Sequence, residues 1–411
     1  MAKPLDGIKV VDLTTYLAAP TSGRVLAEWG ADVVKVESAK ADPTRTTQAA
    51  VYGMPMSDEE NLAFDMANVE KRFVSLNLKD EMGMEVMMKL LSEADIFLTN
   101  NRTKSLAKMG LDYETLHAKF PRLIFAHVLG YGKAGAEKDA AGFDVTCYMA
   151  RGGVFGTTVN KGDAPMVPTN GYGDFQVSMF VVAGILAAMH AREASGAGDY
   201  VTCALQHAGI YALSTGMVSA QYGNQYPKSR KEVVNPLNNV FRSKDQKWVC
   251  LCLPEYDRDF DKVMTLLGRA DMCGNEKYNN CARLNANHLN NAIVDILDEA
   301  MGKFTLEELL GIFKANDMPC EPAQEPCDIY EDQNVWDNDY LVKIDYPNGA
   351  RNIPTSPVQF ESMGAPVYTP TGKLGSATVD VMKELGYKDA QIEQALAQGS
   401  VKGTTSLECL V

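Results

Sequence analysis

Residues 4–38 read PLDGIKVVDLTTYLAAPTSGRVLAEWGADVVKVES, and this stretch determines the predicted fold class. Ile8 to Leu13 is rich in β-branched residues and predicts a strand. Pro20 is suited to open a helix that Gly30 closes, and Asp32 to Val36 predicts the next strand. The stretch is therefore a βαβ unit, which is typical of a parallel sheet covered by helices on both faces.

The alternation of strands and helices continues to about residue 130. Further strands are predicted at Val74 to Leu78, Ile96 to Thr99 and Leu123 to Val128, with helices at about 81–92 and 113–119. Ligands of open α/β sheets bind at the carboxyl ends of the strands, so we expect a site there. The first turn, TTYLAAPTSG, lacks the G-x-G-x-x-G pattern of nicotinamide and flavin sites.

The pattern changes near residue 225. Phe241 to Leu253 predicts a hairpin, helices follow to about 315, and Val342 to Tyr346 predicts a strand that leads to a helical tail. We therefore assign 1–200 to the first part of a large domain, 201–224 to a linker, 225–325 to a small α+β domain, and 326–411 to a linker and the return to the large domain.

Composition excludes several classes of function. With 39 basic and 53 acidic residues the net charge is -14, which disfavours nucleic acid and anionic membranes as partners. No apolar signal core or membrane-spanning stretch is predicted, so a cytoplasmic location is expected. The nine cysteines show no C-x-x-C pairing and the five histidines no H-x-x-x-H pattern, so no metal site is predicted.

Residues 170–207 place one carboxylate beside an apolar helix. Asp174 follows Gly171 and Gly173, which permit a sharp turn and a close approach to a ligand, and it precedes a helix predicted from about Val177 to Ala194. An acid at this position is either a helix cap, worth about 1 kcal/mol, or a catalytic group.

Several motifs occur in one order along almost the whole chain. They are the 4–38 stretch, ADPTR at 41–45, KRFVSLNLK at 71–79, GYGD at 171–174, SGAGDYV at 195–201, and the tail PTSPVQF followed by GYKDAQIEQ. In this combination the chain resembles the family III CoA-transferases, the formyl-CoA transferase and carnitine CoA-transferase group. Stretches such as ADIFLTNNRTKSLAKMGLDYETL and GFDVTCYMARGGVFG are most similar to its (R)-2-hydroxyacid CoA-transferases, which act on phenyllactate or 2-hydroxyisocaproate.

The resemblance implies a Rossmann-like large domain made from both chain ends, a smaller α+β domain and an interlocked homodimer. It implies transfer of CoA from an enoyl-CoA or saturated acyl-CoA to an (R)-2-hydroxy carboxylate in amino-acid fermentation. Asp174 would be the nucleophile, passing through mixed anhydrides and an aspartyl-CoA thioester. CoA thioesters would be substrates, with no permanently bound cofactor.

The resemblance also implies which residues contact CoA: Ala18, Leu76, Asn100, Lys108, Met109 and Tyr131. Arg102, Lys104 and Lys108 would form a basic edge for the CoA phosphates; without the family match, a solvated loop is the competing interpretation. Ser38 and Leu129 depart from the arginine and lysine of formyl-CoA transferase, and SRKEVVNPLNN stands where that enzyme has a glycine-rich lid.

The main alternative is an α-methylacyl-CoA racemase, which needs two acid/base groups around the α-carbon. Phe143 stands where those enzymes have a histidine, which argues against it. A CoA-transferase for formate, oxalate or carnitine and a CoA-binding protein without turnover also remain open. A hydrolase is disfavoured because no G-x-S-x-G elbow is present. An apolar acyl pocket is predicted from four aromatic residues: Phe143, Tyr148, Phe155 and Tyr172.

Overall fold

The computed structural model describes residues 3–48, 51 and 53–410. The chain forms two compact units. The first comprises Met1–Val154, Val167–Ser214 and Gln333–Val411, and the second comprises Phe155–Met166 and Thr215–Asp332. Both chain ends thus contribute to the first unit.

The first unit is built on a sheet in which the described part of the chain supplies seven strands. The strands are β1 Lys9–Leu13, β2 Asp32–Glu37, β3 Arg72–Leu76, β4 Ile96–Thr99, β5 Ile124–Leu129, β6 Tyr200–Ala204 and β12 Val401–Lys402. Their order is β12-β3-β2-β1-β4-β5-β6. All neighbours pair in parallel except β12, which joins β3 antiparallel.

Helices cover this sheet. They are α1 Ala18–Glu28, α2 Leu62–Asn68, α3 Glu81–Glu93, α4 Thr103–Met109, α5 Tyr113–Lys119, α6 Tyr172–Ser195, α7 Leu205–Ala212, α14 Thr378–Glu384 and α15 Asp389–Gln398. Short π-helical turns cover Thr44–Gln48 and Val145–Arg151. The predicted α/β class with a largely parallel sheet is confirmed, and the predicted strands agree to within two residues at each end.

The chain after the second unit adds α13 Gln333–Asp337 and a hairpin of β10 Leu341–Tyr346 and β11 Gly349–Pro354. The inward side chains Ile344, Tyr346 and Ile353 form a small separate core with Val69 and Tyr368. Burial of one such apolar side chain stabilises the folded state by roughly 1.5–3 kcal/mol.

The second unit combines a three-stranded antiparallel sheet with helices. Its strands are β7 Asn238–Arg242, β8 Trp248–Cys252 and β9 Cys320–Pro322, in the order β7-β8-β9. Its helices are α8 Ser214–Ala220, which starts at the unit boundary, α9 Tyr256–Leu266, α10 Cys281–Ala286, α11 Asn290–Met301 and α12 Leu306–Lys314. The predicted hairpin is β7–β8, and the unit has its own core around Phe241, Phe260 and Phe313.

Helix α6 differs from its sequence prediction. It begins at Tyr172 rather than near Val177, so Asp174 lies inside its first turn and Gly171, in the left-handed region at φ 82°, precedes it. Among the described residues α6 is also the one helix long and apolar enough, by length and composition alone, to cross a membrane. It packs along α1 and against β5 and β6.

Candidate active site

Two adjoining cavities lie at the carboxyl-terminal edge of the parallel sheet. The strand order reverses between β1 and β4, the point at which open α/β sheets bind ligands. The first cavity, of about 200 Å³, is lined by residues that follow β1, β4 and β5 and by Asp174. The second, of about 540 Å³, lies where β1, β2 and β3 end. Thr15 and Asn101 line both cavities.

Asp174 enters the first cavity from the first turn of α6. Its side chain is half-buried and accepts no hydrogen bond from any residue that the structure describes. Burial, and then the negative charge of Asp144, raise the pKa of Asp174 to about 7. Since both effects disfavour the ionised form, the carboxylate is unusually basic for an aspartate. The helix-cap interpretation of Asp174 is therefore wrong: this carboxylate is left free at the cavity.

The loop after β1 forms one wall of both cavities and has an unusual backbone. Tyr16 has φ 65°, a left-handed conformation that is rare for a residue with a side chain. Its backbone N–H donates to Asp42 Oδ1 at 3.2 Å. Asn100 holds the neighbouring Thr15 from the other side, accepting from its N–H at 3.0 Å and donating to its carbonyl at 2.7 Å.

A buried ionic network lies behind this loop. Lys71 Nζ is 2.8 Å from Asp12 Oδ2, and Lys35 Nζ is 3.0 Å from Asp42 Oδ2, with all four side chains fully buried. Burial lowers the pKa of Lys71 to about 8 despite the opposing charge of Asp12. Lys35 Nζ also donates to the carbonyl of Thr14 at 2.9 Å. The network therefore fixes the backbone from which the cavity wall is made.

The residues that the resemblance assigned to CoA fall into three groups. Ala18 and Asn100 line the first cavity. Leu76, at the end of β3, and Met109, at the end of α4, line the second cavity. Lys108 and Tyr131 do not appear in the wall of either cavity: Lys108 is exposed on α4, and Tyr131 packs beside Gly142.

The predicted basic edge is only partly placed at the cavities. Arg102 lines the first cavity, whereas Lys104 and Lys108 are exposed on α4 outside both walls. Three lysines not singled out from the sequence line the cavities instead: Lys138 in the first, and Lys40 and Lys79 in the second. Lys79 belongs to the quoted KRFVSLNLK motif, so its position in that motif was the signal that could have identified it.

The four predicted aromatic residues do not form one wall. Phe143 lines the first cavity, remains 54% exposed and packs edge-on against Tyr16 at 5.2 Å. Tyr148 is buried, and its hydroxyl donates to Gln176 at 2.8 Å, so it is a packing residue. Tyr172 is exposed, and Phe155 belongs to the second unit. The first cavity therefore takes its aromatic surface from Phe143 and Tyr16.

No histidine lines the first cavity in the described chain. His127 is buried in β5, with Nε2 2.7 Å from the carbonyl oxygen of Asn101 and Nδ1 2.9 Å from the hydroxyl of Tyr200. Burial lowers its pKa. The histidine that a racemase of this kind would use as its second acid/base group therefore has no counterpart among the described residues of this cavity. Among the described residues no cluster of three or more His, Cys, Asp or Glu side chains is arranged to hold a metal ion.

Comparison with known proteins agrees with this geometry. The family model described as CoA-transferase family III matches residues 5–378. The protein belongs to CoA-transferase family III. It is therefore an enzyme of the CoA-transferase class, and its substrates include CoA thioesters.

Relatives and solved structures of this family cover nearly the whole chain. The chain is 43% identical to the cinnamoyl-CoA:phenyllactate CoA-transferase of Clostridium sporogenes over 393 residues, which is 95% of each protein. It is 39% identical to the (R)-2-hydroxy-4-methylpentanoate CoA-transferase of Clostridioides difficile, covering 94% of this chain and 97% of the relative. A CAIB/BAIF family protein from Brucella suis superposes with a TM-score of 0.79 at 26% identity, covering 94% of this chain and 100% of that one.

Proposed function

We propose that this CoA-transferase moves CoA from an enoyl-CoA or saturated acyl-CoA to an (R)-2-hydroxy carboxylate, with Asp174 as the covalent nucleophile. The observation that carries the proposal is the unpartnered, basic Asp174 carboxylate in a cavity at the switch point of the sheet. The acceptor class is supported by the substrates for which the two relatives are named, phenyllactate and (R)-2-hydroxy-4-methylpentanoate.

The reaction would proceed in four balanced steps. An Asp174 oxygen attacks the donor carbonyl, the C–S bond breaks, and a mixed anhydride and CoA thiolate form. The thiolate attacks the aspartyl carbonyl, releasing the donor carboxylate and leaving an aspartyl-CoA thioester. The acceptor carboxylate displaces the thiolate to give a second anhydride. The thiolate then attacks the acceptor acyl carbon, which yields the new acyl-CoA and regenerates Asp174.

The two cavities suggest how the thioester would bind. The larger cavity, with Lys40 and Lys79 in its wall, suits the phosphorylated nucleotide end of CoA, since lysine holds a phosphate as a point charge. The smaller cavity would receive the acyl group beside Asp174, with Phe143 and Tyr16 as apolar surface. Tetrahedral intermediates need nearby N–H donors, and the backbone of Gly130 and Gly142 in this wall would supply them.

We further propose that the enzyme is a cytoplasmic homodimer of the interlocked family type. Phe180 on α6 and Tyr211 on α7 pack edge-on at 6.1 Å, yet are 40% and 67% exposed. Beside Phe180 lies a largely apolar cavity of about 520 Å³ bordered by α1 and Pro357. These exposed aromatic side chains beside an apolar cavity support the proposal that a partner subunit covers this surface.

Transfer of ¹⁸O tests the covalent path. One Asp174 oxygen leaves with the donor acid in the second step, and one acceptor oxygen stays on Asp174 in the last. Wild-type enzyme turned over once with carboxyl-¹⁸O (R)-phenyllactate should therefore carry label in the peptide that contains Asp174, and Asp174→Ala should neither transfer CoA nor acquire label. Transfer without label at Asp174 would refute the covalent path.

A panel of acyl-CoA donors tests the acceptor class by mass spectrometry. We expect (R)-phenyllactate or (R)-2-hydroxyisocaproate to be charged in preference to formate, oxalate or carnitine. The opposite preference would overturn the substrate assignment while leaving the transferase class intact. Exchange of the α-proton of a 2-methylacyl-CoA with deuterium, without charging of any acceptor, would instead support the racemase.

A further inference from the structure

A carboxylate from outside the helix occupies the N-terminus of α6. The first N–H groups of a helix have no partner within it, and Gly171 has no side chain with which to cap them. The N–H of Gly173 donates to Asp144 Oδ1 at 3.1 Å. The backbone N–H groups of Gly171 and Tyr172 also favour the charged form of Asp144 and act to lower its pKa. Asp144, which precedes the π-helical turn Val145–Arg151, is thus the cap of α6.

The close packing at this cap requires a glycine at position 173. A β-carbon at Gly173 would lie 2.5 Å from Asp144 Oδ1 and 2.3 Å from the ring of Tyr148. Only glycine therefore allows the helix N-terminus to approach so closely. Asp174, the next residue along α6, is held at a fixed position relative to Asp144.

The second carboxylate oxygen of Asp144 lacks a hydrogen-bond donor among the described residues. Asp144 Oδ2 is buried and accepts no hydrogen bond from any residue in the described ranges. Asp144 is only 5% exposed, and it lines the same cavity as Asp174. Two carboxylates therefore line one cavity, Asp144 held by the N–H of Gly173 and Asp174 without a hydrogen bond among the described residues. Close like charges in a site with little water repel each other strongly.

We propose that Asp144 is a positioning residue for the nucleophile: it takes the helix N–H groups that would otherwise bind Asp174, and its charge favours the acylated, uncharged state of Asp174. This inference rests on the proposed covalent role of Asp174. Protonation and acylation both remove the charge of Asp174, so both relieve the same repulsion. If the charge of Asp144 favours protonated over ionised Asp174 tenfold, it raises the pKa of Asp174 by about one unit. The same charge should favour acylated over ionised Asp174 by a similar factor.

Two substitutions separate the two contributions of Asp144. Asp144→Asn keeps an oxygen that can cap α6 but removes the charge, whereas Asp144→Ala removes both. Asp139→Asn is the matched control, because it removes a negative charge from the loop before Asp144 at a residue that does not line the cavity.

Other ionisable groups near Asp174 stay unchanged in these variants. They are Tyr16 after β1, Arg102 after β4, Lys138 in the loop after β5, Cys147 and Tyr148 in the π-helical turn, and Tyr172 on α6 itself. The difference between wild type and Asp144→Asn therefore isolates the charge of Asp144.

Two measurements test the proposal. The first is the equilibrium constant for forming CoA-linked Asp174 from a donor acyl-CoA, read by intact-protein mass spectrometry at several concentrations of the donor acid. The second is the midpoint pH for carbodiimide labelling of Asp174, located in the peptide that contains it. In Asp144→Asn we expect the constant to fall about tenfold and the midpoint to move about one pH unit lower. Asp139→Asn should resemble wild type.

The outcomes distinguish this proposal from the proposed function. The proposal fails if Asp144→Asn changes the equilibrium constant by less than about twofold and the labelling midpoint by less than about 0.3 pH unit. The charge of Asp144 would then not act on Asp174. If wild type forms no CoA-linked Asp174, the covalent function fails, while the labelling midpoint still decides whether the two carboxylates are coupled. A greater loss of thermal stability in Asp144→Ala than in Asp144→Asn is expected for the cap, and equal losses would remove that role.

Discussion

Replacing Asp174, the proposed nucleophile, should make the folded protein more stable. Folding raises the pKa of Asp174 from 3.8 to about 7, so between these values the native state keeps a proton that the unfolded chain has lost. Stability from the protonated carboxyl is therefore lost as the pH rises from about 4 to about 7, and the loss is complete above that range. The side chain introduced by Asp174→Asn has the size of aspartate but does not ionise, so the variant avoids this loss of stability.

The size of the effect follows from the shift. About three pKa units correspond to at most about 4 kcal/mol at 1.4 kcal/mol per unit. Asp174 is half-buried, and the N-terminus of α6 favours a negative charge, so we expect about 1–3 kcal/mol. In a chain of 411 residues this corresponds to a rise in Tm of about 1–3 °C at about pH 8. At about pH 4 the two proteins should melt together.

Thermal scans of wild type and Asp174→Asn at a common rate, across this pH range, would measure the difference. Asp345→Asn is the matched control, since Asp345 is an exposed aspartate on β10 of the same unit. A difference that does not change between about pH 4 and pH 8, or an Asp174→Asn protein that melts below wild type at pH 8, would refute the electrostatic reasoning. Because the ionised carboxylate is the attacking form, the rate of CoA transfer by wild type should fall about tenfold for each pH unit below about pH 7.

Three further predictions concern the two cavities and the residues that support them. Lys71→Met should destabilise the protein by about 3–5 kcal/mol in urea unfolding because it leaves the Asp12 charge buried alone, and the double variant with Asp12→Asn should recover most of the loss. Asn100→Ala removes two hydrogen bonds to the loop after β1, so we expect a loss of about 1–3 kcal/mol and a KM for acyl-CoA that rises more than kcat falls. Lys79→Ala should weaken CoA binding, measured by calorimetry, more than Lys108→Ala does, and this difference should shrink at high salt. A greater loss of CoA binding in Lys108→Ala would instead support the phosphate site predicted on α4.

The sheet was predictable because its strands depend on local patterns. The run from Ile8 to Leu13 and the helix after it have the apolar spacing of a βαβ unit, and the structure has β1 and α1 there. The antiparallel pairing of β12 with β3 was not predicted. It joins Val401 to Leu76, far apart in sequence, and a strand of two residues leaves no pattern.

The start of α6 shows why local patterns are insufficient at the site. Gly171 and Gly173 favour a turn, so the sequence placed the helix near Val177. The helix starts at Tyr172, and Asp144 accepts a hydrogen bond from the N–H of Gly173 in its first turn. No spacing in the sequence shows that Asp144 meets this helix end, so the cap could be found only from the structure.

The absence of a paired cation among the described ion pairs distinguishes Asp174, the proposed nucleophile, from the paired acids near the sheet edge. Asp12 is paired with Lys71, and Glu37 with Arg45 at 2.9 Å, so neutralising either acid would leave a buried cation without its partner. Asp144 and Asp174 have no such cation among the described ion pairs, and neutralising Asp174 relieves repulsion instead. A covalent step that removes charge is therefore favoured at Asp174 and opposed at the paired acids. This difference, more than the presence of an aspartate after a glycine turn, explains why the chemistry is assigned to Asp174.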